Sequence, residues 1–61
     1  MIEYKVIIEF QIEFPRTIIL FNKNTKWTYV GAVDNNTIRL HRDCVFVDIT
    51  KEQLERYFKE I

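Results

Sequence analysis

Residues 2–14 alternate between apolar and polar side chains, and this constrains the fold more than any other feature of the chain. Ile2, Tyr4, Val6, Ile8, Phe10, Ile12 and Phe14 take the even positions. Glu3, Lys5, Glu9, Gln11 and Glu13 take the odd ones, with Ile7 the single exception. Successive strand side chains point to opposite faces, whereas a helix repeats about every 3.6 residues, so the pattern specifies a β-strand with one apolar and one acidic face. At about 3.3 Å per residue the run reaches about 43 Å. That is long for a chain of 61 residues. The strand is expected to bend around a barrel or to pair with a second subunit.

Pro15 ends this run, because proline cannot donate to a ladder and holds Phe14 extended. Four further strands follow. Residues 16–21 are apolar enough to be covered on both faces. Residues 26–33 place Trp27, Tyr29, Gly31 and Val33 on one face. Residues 37–41 point Ile38 and Leu40 inward, and residues 44–49 complete the set. Asn22–Thr25 and Asp34–Asn36 read as turns, with asparagine supplying left-handed backbone. Gly31 lies inside a strand, which marks a bulge, a bend or close backbone approach. Thr50 and Gln53 have capping-box spacing, and Leu54, Tyr57, Phe58 and Ile61 recur as one helical stripe, so a helix is expected over 51–60. Glu52 with Arg56, and Glu55 with Lys59, would be favourable i,i+4 pairs.

The expected fold is therefore mainly β: a single domain over residues 1–61, with a five-stranded antiparallel meander closed into a small SH3-like barrel and one C-terminal helix. A curved open sheet with the helix across it is the alternative. The strand–helix ending is similar in topology to the small archaeal chromatin proteins of SH3-like fold. The chain lacks their strong basic charge and glycine-rich turn, so the resemblance covers topology alone.

A domain of about 60 residues buries only about 60% of its unfolded surface. It needs disulfides, a metal, oligomerisation or a very apolar core. One cysteine excludes an internal disulfide, and the 48% hydrophobic composition points to a dense core. The unpaired thiol fits a reducing, cytoplasmic setting. Charges interrupt the first apolar stretch, so no signal peptide or membrane span is expected. Nine isoleucines against three leucines suit β structure and suggest an AT-rich genome such as that of a phage or other mobile element.

Most chemistries lack their residues. There is no serine nucleophile, and one glycine cannot make a phosphate-cradling loop. His41 and Cys44 form an H-x-x-C pair, but a metal site would need ligands beyond them, with Asp43 and Asp48 nearest. No catalytic residue, cofactor, metal or small-molecule substrate is expected, and the chain reads as a non-enzymatic interaction module.

The net charge of zero is unevenly spread: −2 over residues 1–15, +4 over 16–42 and −2 over 43–61. Two surfaces follow. An acidic one, from Glu3, Glu9 and Glu13 on the outward face of the first strand, suits a regulator or inhibitor that occupies a basic groove on a protein partner. A basic, aromatic one comprises Lys23, Lys26, Trp27, Tyr29, Arg39, His41 and Arg42. It suits nucleic acid, with bases stacked on Trp27 and Tyr29 and phosphates held by the cations. Against it stands the need of so small a domain to bury its only tryptophan. Homo-oligomerisation is expected from the length and free edge of the first strand.

Overall fold

The computed structural model describes residues 1–61 and is mainly β. Its elements are β1 (Glu3–Val6), β2 (Phe10–Phe14), β3 (Thr17–Phe21), β4 (Lys26–Ala32), β5 (Thr37–Arg42), β6 (Val45–Thr50), α1 (Lys51–Tyr57) and β7 (Phe58–Glu60). Five strands form one antiparallel sheet in the order β6-β5-β4-β1-β7, and β2 and β3 form a separate hairpin. No helix is long and apolar enough to cross a membrane.

The long first run is two strands. The molecule measures 30 Å at its longest, so a straight strand of about 43 Å cannot fit. The break falls at Ile7 and Ile8, where the alternation fails. The amides of both donate to the Tyr57 carbonyl, at 2.8 and 3.3 Å. Even-numbered residues face inward on both sides of the bend, so one periodic pattern serves two sheets.

β1 is a central strand. It pairs with β4 (Tyr4 opposite Trp27) and with β7 (Val6 opposite Phe58). The simple meander is thereby corrected: within the five-stranded sheet only β4, β5 and β6 are consecutive neighbours, and β2 pairs with β3 apart from it. The first run is thus neither overlong nor free along the β1 edge.

The helix ends at Tyr57, three residues short of the expected end. Thr50 and Gln53 do form the capping box, through Gln53 N–H to Thr50 Oγ1 (3.0 Å) and Thr50 N–H to Gln53 Oε1 (2.9 Å). Phe58 then turns extended (φ −123, ψ 159) and starts β7. The free edge of β1 accounts for this: a seven-residue helix has little stability of its own, and pairing satisfies backbone groups along that edge. Lys59 therefore leaves the helix and cannot pair with Glu55 there, and Glu52 does not come within ion-pair distance of Arg56.

The core lies between the sheet and the hairpin. Val6, Phe21, Trp27, Ile38, Leu40, Val47, Ile49 and Phe58 are buried, with Phe10, Ile12, Ile19, Leu54 and Tyr57 packed against them. Phe10 stacks on Phe21 (4.4 Å) and on Tyr57 (4.1 Å) and meets Phe58 edge-on (5.7 Å). Tyr4 meets Tyr29 edge-on at 6.5 Å. Burial pushes the Tyr4 phenol above its ordinary value of 10.0, and the Glu60 carboxylate adds to this. A raised folded value means the contribution is present below the ordinary value and lost as pH rises through the folded one.

Turn chemistry is met in part. Asn24 is left-handed (φ 73), as expected. Asp34–Asn36 has no positive φ and is held instead by Asn36 N–H donating to Asp34 Oδ1 (2.8 Å). The β5–β6 turn is Asp43-Cys44, with Asp43 left-handed (φ 53), so Arg42 belongs to β5 and Cys44 to the turn. Gly31 closes a β-bulge: Tyr29 opposes Leu40 and Gly31 opposes Arg39, which leaves Val30 as the extra residue.

Candidate functional site

The hairpin is where the fold is left open. Its inner residues Phe10, Ile12, Ile19 and Phe21 pack on the core. Its outer face carries Gln11 and Glu13 opposite Leu20 and Ile18, which are 58% and 53% exposed. Residues 16–21 are thus covered on one face only, a correction to the expectation of two. Alternate N–H and C=O groups of β3 point away from β2, and no strand of this chain pairs with them.

Two clefts lie beside the hairpin, one reaching the start of β6 at Val45 and the other its end at Thr50. One of about 400 Å³ lies between β3 (Thr17–Leu20) and Arg42, Asp43 and Val45, with Trp27 among its lining residues. The other, about 330 Å³, lies between Phe10, Gln11 and the start of the helix. No backbone hydrogen bond joins the hairpin to β6. Two strand edges, each lacking a neighbour, therefore flank a seam that is mainly apolar between β3 and Val45 and polar between β2 and the helix.

Trp27 is 3% exposed and lies against Phe21 at 4.8 Å, so it belongs to the core. This corrects the stacking platform, which needs the indole face in solvent. Its Nε1–H is buried without an acceptor in the protein. Tyr29 is half-buried against Tyr4.

The basic cluster is divided. Arg39 forms the molecule's one ion pair, with Nε to Asp48 Oδ1 at 2.7 Å and Nη2 to Oδ2 at 3.1 Å. Arg42 Nη1 donates to the Lys26 carbonyl (3.3 Å) beside the seam. His41 stacks on Phe46 (4.4 Å), and its Nε2–H donates to the Asp43 carbonyl. Cys44 is exposed in the turn, and no group of three or more His, Cys, Asp and Glu side chains is poised to hold a metal. Lys23 and Lys26 are exposed, on a turn and on β4.

The acidic face is divided too. Glu3 is on the outer face of the large sheet, Glu9 in the bend and Glu13 on the outer face of the hairpin. The two sheets turn their inner faces to one core, so Glu3 and Glu13 point away from one another.

The Arg39 pair holds the Asp48 carboxyl below its ordinary 3.8, chiefly through the side-chain hydrogen bond. Asp48 raises Arg39 in turn. A lowered carboxylate contributes above its unfolded value and loses that contribution as pH falls through the folded one. Both side chains are well exposed, so screening keeps the effect small. In Arg39→Gln, the Asp48 carboxyl is expected to titrate higher than in the unmodified protein by NMR, with the thermal midpoint almost unmoved.

Comparison with known protein families, with curated proteins and with solved structures finds no match for this chain.

Proposed function

We propose that this protein is a small non-enzymatic interaction module, a regulator or inhibitor that docks an extended segment of a protein partner into the seam between the hairpin and β6. In the same reading, the fold is an SH3-like barrel left open at that seam. The observation that carries it is the unpaired edge of β3, with exposed Ile18 and Leu20 beside an apolar cleft over Trp27. A free strand edge is a template for strand addition: main-chain bonds supply affinity and alternate side chains supply specificity. An added strand would place every second side chain toward Ile19, Trp27 and Val45. A segment of alternating apolar residues fits, with an acidic or amide side chain in reach of Arg42.

Selection of linear peptides from a random displayed library tests this. Enriched peptides are expected to alternate apolar residues and to lose at least ten-fold in affinity for the Ile18→Glu/Leu20→Glu variant. Both substitutions are at exposed positions and leave the core intact. Peptides without that alternation, or binding unaffected by the variant, would contradict the proposal. A concentration-dependent dimer of the unmodified protein, abolished by the same variant, would instead assign the seam to a second copy of this chain.

A further inference from the structure

The pairing register brings together three cations that the sequence keeps far apart. Lys5 on β1 lies directly opposite Lys26 on β4 and directly opposite Lys59 on β7. Opposed residues share a face of the sheet, with Cβ atoms about 4.5–5.5 Å apart. The flanking Val6, Trp27 and Phe58 are buried, so the lysines take the outer face. None has a carboxylate within ion-pair distance. Like charges directly opposite are destabilising, and this row sets two such oppositions side by side with no internal counterion. The nearest acid on that face of β1 is Glu3, in the next row opposite Thr28; Asp48, further along the face, is committed to Arg39.

The row beside the lysines is aromatic at its far end. Thr28 opposes His41, and His41 opposes Phe46. Phe46 is 60% exposed and stacks face to face on His41. From β7 to β6 the face spans four strand spacings, about 19 Å.

We propose that this outer face binds single-stranded nucleic acid, with backbone phosphates along Lys59, Lys5 and Lys26 and a base stacked on Phe46. The chemistry is the one that serves single strands generally: a cationic track beside an aromatic platform that accepts any base. The surface lies on the opposite side of the sheet from Trp27 and is independent of the seam.

The test is anisotropy of labelled dT12 and U12 with the full chain at 50 and 200 mM salt. Three phosphate contacts predict a salt slope near −2 for a single strand, roughly a 16-fold loss across that range. Lys5→Gln/Lys59→Gln should cut the loss to about three-fold, and should melt no lower than the unmodified protein because it removes the opposed charges. Phe46→Ala should weaken binding about five-fold or more while leaving the slope unchanged. Lys51→Gln, on the helix, is the control and should change neither. Absence of binding, binding indifferent to the lysine pair, or equal binding of inorganic polyphosphate with no effect of Phe46→Ala would each overturn the proposal.

Discussion

Phe58→Ala is expected to remove a large share of the protein's stability. Phe58 meets Phe10 and Phe21 edge-on at 5.7 and 5.8 Å and opposes the fully buried Val6. Large-to-small truncation of a buried phenylalanine costs about 3–5 kcal/mol. At roughly 0.05–0.15 kcal/mol per residue, a chain this short has about 3–9 kcal/mol in total. The cavity would also loosen β7 and expose the edge of β1. Ile61→Ala is the informative comparison, because a continuous helix would place residues 58 and 61 on one apolar stripe. In the structure Ile61 is exposed beyond the end of β7, so its truncation should change stability by no more than about 0.5 kcal/mol. Urea denaturation of the two variants checks both values. Equal losses would contradict the β7 assignment.

Trp27→Ala should be nearly as damaging, at about 3–5 kcal/mol. The indole fills the space between Phe21 and the inner face of the sheet. Trp27→Phe should cost distinctly less. It keeps an aromatic ring near Phe21, and the indole N–H has no acceptor to lose. Thermal or urea unfolding measures the difference, and the tryptophan emission of the unmodified protein should be blue-shifted. A red-shifted emission, or a Trp27→Ala variant as stable as the parent, would contradict the core placement.

How much of this was legible in the sequence depended on whether the signal was local. Local patterning marked most of the strand-forming segments, Pro15 the end of the first run and Thr50 with Gln53 the start of the helix, because each is set by neighbours a few residues away. Ile7 was visible as an irregularity, but its meaning as a bend needed the Tyr57 carbonyl, fifty residues later. The end of the helix was misread because Phe58 fits both a helical stripe and an inward strand position, and only the unpaired edge of β1 decides between them. The candidate sites suffered most. Arg39 looked like a free cation until Asp48 was placed opposite it. Lys5 looked isolated among carboxylates, and Lys59 belonged to a helix, so no sequence spacing could reveal their row with Lys26. Glu3 and Glu13 shared a face only while the first run was one strand. Each of these depends on strand pairing, which side-chain periodicity does not encode.

The open seam is most directly tested by amide hydrogen exchange across Thr17–Phe21 in the free protein. An unpaired outer edge predicts an alternating pattern, with amides directed at β2 protected and those directed at the seam exchanging rapidly. Uniform protection along β3 would mean that the hairpin is already bonded to another strand, and would contradict the account.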